Sequence, residues 1–205
     1  MVNIANNRET ARPVFPPAIR ERQGQGARHQ AHVPESTLSV TGRTATVARY
    51  LSAGIRLAMG WLFLWAFLDK LFGLGRGTPP ANAWLDGGSP TAGVLGESAT
   101  GPFAGLYHSI AGNALVDGLF MAALAGIGTA LILGIGMRIA AASGGLLTVL
   151  MWTVALPPAT NPFMDDHLVY AAVLILLALL GAGNVWGFGR RWAASPLVQR
   201  NPWLT

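Results

Sequence analysis

The sequence predicts an all-α fold, a polytopic membrane four-helix bundle with a long extracytoplasmic loop between its first and second spans. Three observations carry this. Only 11% of the 205 residues are charged and mean hydropathy is +0.43, where a soluble domain carries about 25% charged residues. Four apolar runs are long enough to cross a bilayer. Each run is continuous and does not alternate, which selects helices over a barrel. The chain has no cysteine, which excludes disulfides, thiolate metal sites, covalently attached haem and a thiol relay.

Residues 1–46 read as a disordered basic cytoplasmic tail, with few aromatics, several Pro and Gly and no sustained periodicity. The opening MVNIANNRETARPVFPP lacks the apolar core of a secretory signal. Arg8, Arg12, Arg20, Arg22, Arg28, Arg43 and Arg49 are scattered and form no basic face, so the positive net charge does not indicate a nucleic-acid partner. A weak attraction to anionic headgroups fits better.

The membrane domain, 47–192, opens with a span over about 49–72, RYLSAGIRLAMGWLFLWAFLDKLF. Trp61, Trp65 and Asp69 lie on one helical stripe, and Arg56, Gly60, Phe63, Phe67 and Lys70 on the next. Charges within a span are expensive and face the bundle interior, water or a partner. Arg56 falls about a third of the way in from the cytoplasmic side. It either snorkels or pairs with a headgroup, a carbonyl or an anionic ligand.

The loop 73–113 is too long for a simple connection. Its Pro and Gly clusters read as turns, and Trp84, Leu85, Phe103, Leu106 and Tyr107 give it side chains to bury. It is expected to fold back as a lid, with a short interfacial helix over Phe103–Ile110. Spans over about 114–136, 137–156 and 167–184 follow. Gly126, Ala130 and Gly134 in the second, and Ala140, Gly144 and Thr148 in the third, repeat every fourth residue. Such stripes predict a tight antiparallel hairpin between these two spans. Residues 193–205 read as a cytoplasmic C-terminal tail.

Orientation follows the basic residues. Arg is abundant before the first span, Arg138 sits in the turn between the second and third, and Arg190, Arg191 and Arg200 follow the fourth. The outer loops carry only Arg76, with Asp165 and Asp166 before the fourth span. The expected placement is the cell membrane, multi-pass, with both termini cytoplasmic.

Polar groups gather at the outer end. Asp69 and Lys70 close the first span, as an interfacial ion pair or as part of a site. Asp165 and Asp166 stand where a helix N-terminus favours carboxylates, and two followed by His167 exceed what a cap needs. Asp117 reads as a first-turn residue. A haem between His108 and His167, or a metal on His108, His167 and Asp166, lacks ligand spacing on any helix. The sequence gives no evidence for haem or metal. A histidine oriented by a carboxylate suits proton transfer. Quinone chemistry couples protons to electrons and needs an apolar slot. Trp61, Trp65, Trp84 and Trp152 are candidates to build one, with His108 beside them, although interfacial aromatics also serve as anchors.

The blocks GWLFLWAFLDKLFGLG, NAWLDGGSPTAG, GPFAGLYHSIAG, LGIGMRIAAASG, MWTVALPPATNPFMDDHLVYA and GAGNVWGFGRRW resemble the DoxX/DoxD-like membrane proteins. Within these they are most similar to the DoxD-type subunit of thiosulfate:quinone oxidoreductase. The resemblance spans roughly Tyr50 to Trp192. It implies four membrane helices, a substantial outer loop and quinone-linked redox or sulfur metabolism, with a DoxA-type second subunit that nothing in this chain resembles. It carries over the blocks holding Trp65, Asp69, Lys70, Trp84, Asp86, Asp165, Asp166 and His167, without assigning catalytic roles.

The leading expectation is a membrane subunit passing electrons from an extracytoplasmic donor, such as thiosulfate, to quinone. Asp69, Lys70, Asp165, Asp166 and His167 would be catalytic, and Trp61, Trp65, Trp84, Trp152 and His108 would hold the quinone. The alternative is a non-catalytic scaffold recruiting a redox partner in the membrane or outside it. A small-anion transporter is a third reading, opposed by the lack of repeats or broken helices.

Overall fold

The computed structural model describes residues 42–159 and 161–205. The tail assigned to 1–46 lies outside these, except that 42–46 are helical. The first helix, α1, runs Gly42–Phe72, seven residues longer at its start than the span read from hydropathy. No proline interrupts it, and its 31 residues extend about 46 Å. It ends where Gly73 turns left-handed at φ 63° and its N–H donates to Asp69 O at 2.8 Å. A Cβ at Gly73 would lie 2.7 Å from Pro80 Cα, so the position demands glycine.

Residues 73–113 contain short 3-10 turns at Pro80–Asn82, Trp84–Asp86 and Gly101–Phe103, a π-turn at Ala92–Glu97, and a seven-residue helix α2, Ala104–Ile110. The expected short helix is therefore present. This segment folds back: Leu95, Ala99 and Tyr107 bury themselves with Val154, and Thr100 N donates to Val154 O at 3.1 Å.

Helix α3 is Ala114–Leu133, capped by Asn113, whose side chain accepts from Leu115 N and Val116 N. After the turn 134–136, α4 runs Met137–Val154, and α5 runs Asp166–Leu179. The helices α1, α3 and α4 are long and apolar enough to cross a membrane, which makes bilayer contact the natural setting of this all-helical chain. Apolar α5 has 14 residues, about 21 Å, and is shorter than the span expected at 167–184.

One core joins all four. Met59 and Phe63 come from α1, Leu124 and Leu131 from α3, Ala140 and Ala141 from α4, and Leu174 and Leu177 from α5. The close approaches differ from those expected. A Cβ on Gly128 would sit 2.7 Å from Leu64 N, and one on Gly60 would sit 3.0 Å from Ile132 N, so glycines bring α1 onto α3. Gly144 of α4 packs against Leu174 of α5 and Ile127 of α3. Gly126 has open space beside it. It and Ala130 border a groove between α3 and α4 of about 340 Å³, so that stripe is not the tight seam its spacing suggests.

At the α3–α4 turn, Arg56 is fully buried. Its guanidinium donates to Leu131 O and Ile132 O at the end of α3, and to Val185 O and Trp186 O at 3.1 and 2.9 Å. Among the readings left open by sequence, pairing with carbonyls is the one observed. Residues 193–205 are also no loose tail. Short helices α6 (Gly189–Ala193) and α7 (Pro196–Arg200) lead to Pro202–Leu204. Arg138 N donates to Thr205 O at 2.8 Å, Trp192 Nε1 donates to Leu204 O at 2.7 Å, and Val198 is buried.

Candidate functional site

At the opposite end, three carboxylates meet the backbone. Asp69, 4% exposed, accepts from Arg76 N at 3.1 Å and Gly77 N at 2.9 Å, and Thr78 adds backbone and side-chain hydrogen bonds. A carboxylate taking several N–H groups is well satisfied, so Asp69 clasps the turn that follows its own helix. Asp117, also buried, accepts through Oδ1 from Ser89 Oγ at 2.9 Å, Thr91 N at 3.0 Å and Thr91 Oγ1 at 2.5 Å. Thr91 Oγ1 in turn accepts from Gly112 N. Asp117 is thus a latch on the 73–113 segment, a larger task than a first-turn residue performs.

Asp165 divides its oxygens between two jobs. Its Oδ1 caps α5 by accepting from His167 N and Leu168 N, and its Oδ2 lies 2.7 Å from His167 Nδ1. With Nδ1 engaged, a neutral His167 carries its proton there and leaves Nε2 as the free ring nitrogen. Asp166 is exposed in the first turn of α5. The two adjacent aspartates therefore separate into a positioning residue and a solvated one.

Lys70 and His167, 97 residues apart in the chain, line the same cavity of about 330 Å³ between α1, α3, α4 and α5. Its wall is otherwise nearly all apolar, including Met59, Phe63, Phe120, Leu124, Leu147 and Met151. Thr148 lines it too, but its hydroxyl is bonded to Gly144 O and Gly145 O. Tyr170 is the remaining polar lining residue, its ring 6.4 Å from that of His167. Among the described residues Lys70 makes no hydrogen bond and no ion pair within 4.0 Å, though it feels the charge of the adjacent Asp69. Its ammonium, a donor, and the free His167 nitrogen, an acceptor in the neutral ring, thus meet at one apolar chamber.

The other predicted residues lie elsewhere. Trp61 is half exposed and stacks obliquely on Trp65 at 5.7 Å. Trp84 is on the surface of the 73–113 segment. Trp152 donates from Nε1 to Phe163 O and meets the Phe163 ring edge-on. His108 is exposed on α2. None of these five lines the Lys70–His167 cavity. Sequence reasoning missed Tyr170, although its place three residues after His167 on one helix was a usable signal. It had no signal for Val94, Phe120 or Met151, which are ordinary apolar residues until the helices bring them together. No group of three or more His, Asp or Glu able to hold a metal occurs among the described residues. No family model, curated protein or solved structure matches the chain.

Proposed function

We propose that this protein is a membrane subunit of a quinone-linked oxidoreductase, with the headgroup site at Lys70 and His167. The observation that carries the reading is an apolar chamber lined by two polar groups, a lysine ammonium and a histidine held by a carboxylate. The donor set suits a quinone ring: an ammonium to bind one carbonyl, an imidazole to exchange a proton, and hydrocarbon around the rest. A quinone bound there supplies a two-electron, two-proton acceptor. Lys70 would hold a ring carbonyl oxygen by a hydrogen bond from its ammonium. His167 would relay protons from solvent through Nε2, one for each transfer. Asp165 keeps the imidazole in place. Asp69 and Asp166 have no part in this step. The electron donor is a reduced sulfur oxyanion in the reading that the DoxX/DoxD resemblance implies, oxidised together with a partner.

In this proposal all four apolar helices cross the cell membrane. Past the left-handed Gly181, α5 is followed by a short 3-10 turn at Ala182–Asn184, and local thinning accommodates its short length. Arg138, Arg190, Arg191 and Arg200 lie at the α3–α4 turn end, and Asp86, Glu97, Asp165 and Asp166 at the other. The positive-inside bias then puts both termini in the cytoplasm and segment 73–113 outside. The test is binding of a tail-less dimethoxybenzoquinone to the purified protein. Lys70→Met and His167→Ala should each weaken it at least about tenfold, roughly 1.4 kcal/mol. Unchanged binding in both variants sinks the reading.

A second reading, a non-catalytic scaffold, draws support from Leu85, Leu106 and Phe103, which are exposed on the 73–113 segment and suit contact with a partner. Co-purification of a stoichiometric partner, lost in Leu85→Asp, with no quinone bound, would favour it.

A further inference from the structure

A second chamber, about 430 Å³, lies between α3, α4 and the folded-back 73–113 segment. Four side chains, Val94, Phe120, Leu147 and Met151, belong to the walls of both chambers. They stand between the two, and Phe120 and Met151 are half-buried; methionine's unbranched side chain adapts readily to a neighbour. The second chamber differs from the first in its polar groups. Its three hydroxyls are all engaged: Thr91 with Asp117, Tyr107 with Thr153, and Ser143 with Ile139 O. It holds no charged residue and no free donor. A cavity of this kind stays dry and accepts hydrocarbon.

From this contrast we infer that the second chamber receives the isoprenoid tail of the quinone whose headgroup sits at Lys70 and His167, entering past Phe120 and Met151. The inference rests on the headgroup reading above and adds a determinant of tail length to it. The argument is one of chemistry and continuity. The first chamber has the polar groups that a headgroup needs, the second has none, and the same four side chains line both. A bilayer acyl chain is the competing occupant, and it would have no reason to depend on the headgroup chamber.

The experiment uses the full chain in nanodiscs and two probes sharing one dimethoxybenzoquinone head, one without a tail and one with four isoprene units. Wild type should bind the tailed probe at least tenfold more tightly, after correction for its partition into lipid. Ala123→Phe projects a ring into the second chamber from α3, and Leu146→Trp does so from α4. Each should bring tailed binding down to the tail-less level and leave tail-less binding within twofold of wild type. Phe120→Ala, which shortens a side chain standing between the chambers, should keep the preference for the tail.

Either filling variant that is stably folded yet retains the wild-type tail preference overturns the inference. So does a wild type with no tail preference, and so does an equal loss of both probes in both filling variants. In those cases the headgroup reading stands if Lys70→Met still weakens tail-less binding. If wild type binds neither probe, both fall together.

Discussion

The two ends of this protein use buried charge in opposite senses. At the turn end, one cation serves the backbone: Arg56 collects carbonyls from the end of α3 and from residues 185 and 186. Those of α3 lie in its last turn, where a helix leaves carbonyls without N–H partners of its own. At the other end, anions serve the backbone: Asp69 and Asp117 collect N–H groups of the 73–113 segment. A charge inside a spanning helix is commonly taken as a sign of chemistry. Here three of the buried charges are engaged in holding chain segments in place. In the proposed reading the chemistry falls to Lys70 and to the free ring nitrogen of His167, which line one cavity.

Arg56 offers the strongest way to break this contrast. Arg56→Met would leave several buried carbonyls without donors, and a loss of about 3–5 kcal/mol is expected. Arg56→Lys should recover little, because an ammonium lacks the fork that reaches both segments. Denaturant or thermal unfolding in detergent would measure it, and a loss below about 1 kcal/mol would mean the carbonyls find other partners. Next comes Gly128→Leu, which forces α1 off α3. A cost of about 1–3 kcal/mol is expected from overpacking, while Gly126→Leu, facing open groove, should cost little. Equal effects at the two glycines would refute the seam assigned to α1 and α3.

Smaller effects separate holding from chemistry at the other end. Asp117→Ala releases Ser89 and Thr91, with about 1–3 kcal/mol lost. Limited proteolysis should then cut within 82–103 faster than in wild type, while unfolding of the helices shifts little. Asp69→Asn keeps one acceptor oxygen and should cost about 1 kcal/mol with tail-less quinone binding unchanged. A Lys70-like loss of binding in that variant would return Asp69 to the site and blur the distinction between the two kinds of charge.

Much of the fold was legible in the chain. Hydropathy found α3, α4 and the end of α1 to within a few residues, since a run of apolar side chains is a local property, but it missed the first seven residues of α1. It overran α5, because Gly181 stops the helix at a position where composition remains apolar. Of the site, the Asp165–His167 pair was legible because its partners are two residues apart. Lys70 and His167 were named together and line one cavity, while the tryptophans named with them do not line it. Small-residue spacing identified Gly144 correctly and Gly126 wrongly, since a stripe gives the face of a helix and not which neighbour covers it.

What the sequence determined by itself is therefore one-dimensional: membrane helices, their order, their caps, and the basic and acidic ends. Tertiary structure alone decided which charges are satisfied. Asp69 and Lys70 are chain neighbours of similar promise, yet one faces a coil of N–H groups and the other an apolar chamber. The physical reason is that a buried charge is defined by the groups that surround it, and those come from residues far away in the chain.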